Sequence, residues 1–240
     1  MKLSLTSDRE IEPFIDFGDM PIANDFRRPD DDSDYYTFRM QVGFCEESYM
    51  VQLLDQPSRE QMFHENYAYF ASTSAYMVKH FEKFYESVAQ LQSLDNNSFV
   101  VELGSNDGIM LQNFSKNGIP CLGVEPSENV ANAAREKGIN VTTKFFDEDL
   151  AKEICQEYGC ADAILSANVM CHIPYVDSIF KGVKLLLKET GVLKFEDPYI
   201  GDILDKTSFD QIYDEHTFLF SALSVEHLAS KHGLELVDVE

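Results

Sequence analysis

Positive charge is scarce in this sequence of 240 residues. The 19 Lys and Arg residues stand against 42 Asp and Glu residues, which gives a formal net charge of −23. Phosphate backbones and anionic lipid headgroups repel such a chain. We therefore expect neither a nucleic acid polymer nor a membrane as its partner.

Long apolar segments are also missing. No apolar run approaches the ~18 residues that a membrane-spanning helix needs. Residues 1–14, MKLSLTSDREIEPF, lack the apolar centre of a signal peptide. Both absences predict a cytoplasmic protein.

Cysteine is present, but not in a pattern typical of disulfides or metal sites. The 5 cysteines contain no C-x-x-C pair and are odd in number. Several of them lie in or beside apolar segments. We therefore expect reduced, mostly buried thiols and no disulfide framework.

The dinucleotide-binding pattern G-x-G-x-x-G is absent, and a different glycine turn stands in its place. Residues 99–108 read FVVELGSNDG, an apolar strand that ends at Glu102 and a polar turn between Gly104 and Gly108. Helical spacing of apolar residues follows the turn, so its exposed N–H groups suit a polar or anionic ligand. Glu125 ends the next apolar run, where an acid accepts the hydroxyls of a ribose.

This E-x-G-x-x-x-G pattern with a following acid resembles the S-adenosylmethionine (SAM) site of class I methyltransferases. The alternative is an ordinary strand–helix–strand unit whose glycines only make the turn. The resemblance implies that SAM is the cofactor. The candidate cofactor residues at the turn and at the ends of the neighbouring strands are Glu102, Gly104, Ser105, Asn106, Asp107, Gly108, Glu125, Pro126, Phe145, Phe146, Asn168 and His172.

Several of these candidates keep a second interpretation. Asp107 bonds the cofactor or caps the helix after the turn. Phe145 and Phe146 flank the adenine or pack in the core. His172 contacts SAM and substrate or simply packs.

Strand and helix patterns alternate from residue 99 onward, which predicts a parallel sheet covered by helices. The predicted strands are 99–102, 120–125, 140–143, 163–166, 191–196 and 234–239. Lys194 is unexpected inside a buried strand. The fold class is therefore α/β, a Rossmann-like doubly wound sheet at 67–240 preceded by a small β-rich module at 1–66, in which Val42 and Phe44 are expected in the core.

A second polar group, Tyr213-Asp214-Glu215-His216, follows the fifth predicted strand. Doubly wound sheets bind their ligands at the carboxyl ends of their strands. A histidine beside a carboxylate acts as a general base near neutral pH. The alternative is a surface or helix-capping histidine. The other histidines, which are predicted to be surface residues, are His64, His80, His227 and His232.

An ordered set of motifs makes the resemblance more specific. It comprises FGDMPIAN, ENYAYFASTS, VELGSNDG, GVEPS, ANVMCHI, FEDPY and FDQIYDEH. Together they resemble the sugar C-methyltransferases that act on nucleotide-linked keto-deoxysugars. That resemblance implies an N-terminal zinc-binding module, a SAM-binding core and a C-terminal domain. It also places Tyr67, Tyr213, Glu215 and His216 in the active site, with His216 as the base.

Two features depart from that family. Its zinc module uses two C-x-x-C pairs, but here one reads Cys45-Glu46-Glu47-Ser48 and the other is absent from residues 1–6. One thiol does not make a tetrahedral zinc site, so we predict no metal unless ligands lie outside this sequence. The C-terminal domain is also missing, and the sequence looks like a fragment of a longer protein.

The sequence thus predicts a SAM-dependent C-methyltransferase whose partner is a nucleotide-linked keto-deoxysugar. Two alternatives stay open. One is a non-catalytic remnant that binds SAM or a sugar nucleotide. The other is an O- or N-methyltransferase that acts on a small metabolite.

Overall fold

The computed structural model describes residues 2–24, 26–32, 34–62 and 67–240. Within them the strands are β1 (Lys2–Leu3), β2 (Glu10–Ile11), β3 (Pro13–Pro21), β4 (Thr37–Cys45), β5 (Met50–Leu53), β6 (Val100–Leu103), β7 (Cys121–Val124), β8 (Val141–Thr142), β9 (Ala161–Ala167), β10 (Leu187–Glu196) and β11 (Phe218–Leu219). The helices are α1 (Arg59–Met62), α2 (Ala75–Gln92), α3 (Leu111–Lys116), α4 (Glu128–Glu136), α5 (Glu148–Tyr158), α6 (Val176–Leu186), α7 (Ile200–Lys206) and α8 (Ala222–Lys231). Short 3-10 turns lie at Ala71–Thr73, Met170–His172 and Phe209–Gln211.

The chain divides into two compact units. The first unit comprises Met1–Met62, Met170–Asp177 and Asp197–Glu240. The second unit comprises Phe63–Val169 and Ser178–Glu196.

The second unit is built on a five-stranded parallel sheet with the order β10-β9-β6-β7-β8. All four residues of β6 are buried, as expected for a central strand of a parallel sheet. The chain runs outward from β6 in both directions, so the topological switch point lies between β6 and β9. This order confirms the predicted doubly wound α/β fold.

Helix α2 of the second unit follows its sequence pattern closely. Ser74 is its N-cap and accepts a hydrogen bond from the Met77 backbone N–H. The apolar face buries Phe81, Phe84 and Val88, the spacing that predicts an amphipathic helix.

The first unit contains a four-stranded antiparallel sheet of order β11-β5-β4-β3 and the small hairpin β1-β2. Phe38, Met40 and Val42 alternate on one face of β4 and pack with Leu53 of β5. The buried Val42 confirms the expectation for that residue. Phe44 is 42% exposed, so the expectation that it lies in the core is wrong.

Other details of the sequence prediction are also wrong. Residues 234–239 form no strand, because their apolar side chains find no strand to pair with among the described residues. The side chain of His232 is 6% exposed and its Nε2 contacts Asp177 Oδ1 at 3.0 Å, so the expectation that it lies on the surface is wrong. The side chain of His80 is 37% exposed, and its Nε2 contacts the Glu196 carboxylate at 2.8 Å. His64 lies outside the described residues, and His227 is half-buried on α8.

Lys194 is explained by its strand, because β10 is an edge strand of the sheet. Its Nζ donates to Ser87 Oγ at 2.7 Å and lies over the Phe84 ring, 5.4 Å from the centroid. The stem is thus partly buried while the charge has polar and aromatic contacts. Among the described residues, no helix has the length and apolar content that crossing a membrane requires.

Candidate cofactor site and candidate acid–base site

The turn after β6 depends on glycine at two points. Gly104 has φ 65°, and a Cβ added there would lie 2.3 Å from Val169 Cγ2. Gly108 has φ 77°, and its added Cβ would approach Ala134 Cβ at 3.2 Å. The backbone of the turn therefore packs as closely as glycine alone allows.

Two buried glutamates flank this turn. Glu102 at the end of β6 is 3% exposed, and Glu125 just after β7 is 6% exposed. Burial raises the pKa of both carboxyls, and the charges of Glu125 and Asp107 raise that of Glu102 further. Glu125 accepts backbone hydrogen bonds from Asn106 at 3.0 Å and Ser127 at 2.8 Å. Three acids thus surround one turn, an environment that favours a cation.

Asn106 connects the turn to the segment that precedes α2. Its Oδ1 accepts from the Ala71 backbone N–H at 2.9 Å, and its Nδ2 donates to the Tyr69 carbonyl at 3.1 Å. The backbone of Tyr67, in the same segment, is held by a hydrogen bond: its carbonyl accepts from Asn129 Nδ2 at 2.8 Å.

Asp107 lies beside the same segment. Its carboxylate accepts from the Ser72 hydroxyl and backbone and forms an ion pair with Lys137 at 3.2 Å. Lys137 Nζ also donates to the Asp107 carbonyl at 2.7 Å. These contacts fix the turn, and the capping alternative for Asp107 is not observed.

The remaining cofactor candidates in the second unit divide by exposure. Asn168 follows β9 with φ 54°, is exposed, and donates its backbone N–H to the Glu196 carbonyl at 2.7 Å. Phe145 and Pro126 are half-buried. Phe146 is 4% exposed and packs near Gly182, as its alternative core interpretation expects.

The polar atoms beside the turn test whether SAM fits. Glu102 Oε2 and Ser105 Oγ are buried without a hydrogen-bond partner among the described residues. An amino group or hydroxyl of a ligand would satisfy such atoms. The residues of the second unit therefore fit a cofactor with a positive charge and a ribose.

The first unit holds the histidine predicted to be the base. His216 Nδ1 lies 2.7 Å from the Gln211 carbonyl, which accepts only from a protonated nitrogen. In the neutral ring, Nε2 therefore carries the lone pair. Burial lowers the pKa of His216, and the hydrogen bond to Gln211 raises it. The net shift is downward, so the neutral form of His216 prevails at pH 7.

Polar side chains from distant parts of the sequence surround this histidine. The Tyr213 ring meets the His216 ring edge-on, with centroids 4.3 Å apart. The Tyr213 hydroxyl lies 3.4 Å from Glu215 Oε2, and Asn24 Nδ2 donates to Glu215 Oε1. Asp214 accepts from the Ala23 backbone N–H at 3.2 Å.

His172 belongs to the first unit and stacks on His216, with centroids 5.3 Å apart. Burial and the neighbouring His216 lower the pKa of His172 to about 3. Sequence reasoning missed two neighbours of this pair. Asn24 lies in the FGDMPIAN motif and Cys171 in ANVMCHI, and neither pattern indicates a role at this site.

Cys171, His172 and His216 place one ligand atom each within 4.8 Å of one another. The pKa of the Cys171 thiol is raised well above its ordinary value, and burial is the largest cause. The charge of Asp197 and a hydrogen bond to Asp197 raise this pKa further. Metal binding at this group would require the thiol to lose its proton.

The fold and the cofactor site define a Rossmann-like methyltransferase. A model of the methyltransferase domain family matches residues 77–239. The chain belongs to this family. A putative zinc binding domain matches residues 6–63.

A curated relative makes the family resemblance more specific. The C-methyltransferase NovU of Streptomyces niveus is 30% identical over 226 residues, which cover 94% of this chain and 54% of the relative. The chain thus spans about half the length of the curated relative it matches. The predicted recognition of a C-methyltransferase family agrees with this relative and with the two domain matches.

Solved structures agree on the fold. A SAM-dependent methyltransferase from Archaeoglobus fulgidus has TM-score 0.52 at 15% identity and covers 64% of this chain and 68% of its own. A putative methyltransferase from Bacillus halodurans has TM-score 0.50 at 15% identity, with coverages of 65% and 71%.

Proposed function

We propose that this chain is part of a cytoplasmic SAM-dependent C-methyltransferase that acts on a nucleotide-linked keto-deoxysugar. The observation that carries the proposal is the tautomer of His216. Its Nδ1 proton is directed to the Gln211 carbonyl at 2.7 Å, so its Nε2 is available to remove a proton from carbon.

The charges in the second unit support SAM as the cofactor. Glu102, Asp107 and Glu125 are buried acids around the turn. They would repel the phosphates of a dinucleotide and attract the sulfonium and amino groups of SAM. When bound, SAM supplies a methyl group with electrophilic character. Glu125 would hold the ribose hydroxyls, and Glu102 would lie near the methionine end.

The residues of the first unit support carbon-acid chemistry. A ketone acidifies the neighbouring C–H bond. His216 Nε2 takes that proton, and the electron pair of the broken bond moves onto the ketone oxygen as an enolate. His172 is too weak a base for this step, because its pKa is about 3. SAM held by Glu102 and Glu125 would supply the methyl group to the enolate carbon, with its sulfur–methyl bond breaking and S-adenosylhomocysteine leaving.

The neighbours of His216 would orient the base and the sugar. Asn24 holds Glu215 through a side-chain hydrogen bond. The Tyr213 hydroxyl is a donor for the sugar or the enolate oxygen, and Tyr67 has the same role by resemblance.

Proton exchange separates this proposal from its alternatives. Nucleotide-linked keto-deoxysugars are incubated with the protein in deuterated water without SAM, and deuterium uptake beside the ketone is followed by NMR. The proposal expects exchange that is lost in His216→Ala, because removing a positioned base typically costs about 10²–10⁴-fold in rate. Tyr213→Phe should have a milder effect.

His227→Ala is the matched control, because it removes a half-buried histidine of the same unit outside the acid–base group. It should leave exchange unchanged. Near-normal exchange by His216→Ala would place the base elsewhere, with Tyr67 next to be tested. SAM binding without exchange would favour the non-catalytic remnant. Methyl transfer to oxygen or nitrogen without exchange would favour the other alternative.

A further inference from the structure

Two tight turns of the first unit bring four small polar side chains together. Ser4 and Ser7 lie in the turn between β1 and β2, three residues apart. Cys45 ends β4, and Ser48 lies in the turn that follows it with the same spacing. Two such turns with C-x-x-C spacing are the ordinary source of ligands in a zinc site built from four cysteines.

The thiol of Cys45 is the centre of this serine–cysteine cluster (Ser4, Ser7, Cys45 and Ser48). Its Sγ lies 3.2 Å from Ser7 Oγ, and the hydroxyls of Ser4 and Ser48 also hydrogen-bond to it. Cys45 and Ser48 are fully buried, and Ser4 is 8% exposed. Thr6 closes the cluster, with its Oγ1 2.6 Å from Ser48 Oγ and 3.1 Å from Ser4 Oγ.

The backbone of both turns also points into the cluster. The Thr6 N–H donates to Ser4 Oγ at 3.2 Å, and the Arg9 N–H donates to Ser7 Oγ at 3.2 Å. The Ser48 N–H donates to the Cys45 sulfur. These donors would stabilise negative charge on ligands at the same positions. Burial raises the pKa of Cys45, but hydrogen bonds from the surrounding serines outweigh it and bring the value to about 7.

The donor set does not fit zinc, although a putative zinc binding domain matches this part of the chain. Zinc in a structural site takes four thiolate or imidazole ligands, and here three of the four positions carry neutral hydroxyls. Among the described residues, Cys45 is in no group of three or more His, Cys, Asp or Glu side chains that could hold a metal.

We propose that the serine–cysteine cluster is a zinc site converted into a metal-free one, in which hydroxyl-to-thiol hydrogen bonds join the two turns in place of the ion. Three hydroxyls stand where thiolates would bind, and the first unit folds without metal. The geometry of the turns is retained, so thiols at the three serine positions would restore the site. This inference is independent of the methyl-transfer chemistry proposed above.

Metal content and chelator response of the full chain test the proposal. The wild type, produced with zinc in the medium, should carry much less than about one zinc per chain and keep its melting temperature in EDTA. The triple variant Ser4→Cys/Ser7→Cys/Ser48→Cys should carry about one zinc per chain and lose melting temperature in EDTA. With Co(II) it should show the absorption of a tetrahedral thiolate site.

Ser48→Cys alone is the matched control, because it restores one pair and leaves two hydroxyls. It should release its metal to a chelator much more readily than the triple variant. Stoichiometric zinc in the wild type, removed by EDTA with a fall in melting temperature, would overturn the proposal even if the triple variant failed to fold. A folded triple variant that takes up no zinc or cobalt would contradict the claim that the two turns retain the geometry of a zinc site.

Discussion

The second unit should lose more stability when a methyl group is added at Gly104 than when one is added at Gly118. Gly104 has φ 65°, and an added Cβ would lie 2.3 Å from Val169 Cγ2. The left-handed conformation costs an alanine about 1–2 kcal/mol, and forcing extra volume into a packed site costs about 1–3 kcal/mol. Gly104→Ala should therefore lower the free energy of unfolding by about 2–5 kcal/mol.

Gly118 provides the matched control for this substitution. Its φ is 72°, and apart from its chain neighbours no atom of the described residues lies within 4 Å of an added Cβ. Gly118→Ala should cost only the backbone strain, about 1–2 kcal/mol. Urea unfolding of both variants measures the difference, provided that the denaturant slope is unchanged. Equal losses in the free energy of unfolding of the two variants would refute the close approach at Gly104. The close approach would also be refuted if adding Val169→Ala to Gly104→Ala restored none of the lost free energy.

Three further predictions concern other described residues. The folded-state pKa of His172, about 3, lies below the unfolded value of about 6.5, so its stabilising contribution is complete above pH 6.5 and is lost as the pH falls. The free energy of unfolding should fall by about 1.4 kcal/mol more between pH 7.5 and 5.5 in the wild type than in His172→Gln; equal falls would contradict this. Asn24→Ala removes a donor to the buried Glu215 and should cost about 1.5–3 kcal/mol in urea unfolding, whereas no loss would show that this bond is dispensable. Asp147 is the N-cap of α5, and Asp147→Ala should cost about 1 kcal/mol by the same measurement, with an unchanged midpoint as the contrary result.

Local patterns predicted the second unit well, because its elements are fixed by short-range chemistry. The apolar run before Glu102 gives β6, and the glycines on either side of the polar turn take positive φ. Helix α2 forms because Phe81, Phe84 and Val88 lie on one face and Ser74 caps its start. Each of these features depends on residues within a few positions of one another.

Contacts between distant residues were not predictable in the same way. Asp107 bonds to Ser72 and Lys137, which are 35 and 30 positions away in the chain. The apolar pattern at 234–239 predicted a strand, but a strand forms only where a neighbour pairs with it. The spacing of Ser4 and Ser7 carried a usable signal, since it repeats that of Cys45 and Ser48. A search for cysteines alone passes over it.

Calorimetric titration with S-adenosylhomocysteine, the demethylated product of SAM, tests most directly whether the second unit is a SAM site. The wild type should bind about one molecule per chain. Glu125→Ala should weaken binding by about 10- to 150-fold, since a hydrogen bond to a charged group contributes about 1.5–3 kcal/mol. Glu128→Ala, which removes an acid from the start of α4, is the control and should bind as the wild type does. Absence of binding by the wild type, or undiminished binding by Glu125→Ala, would contradict the account.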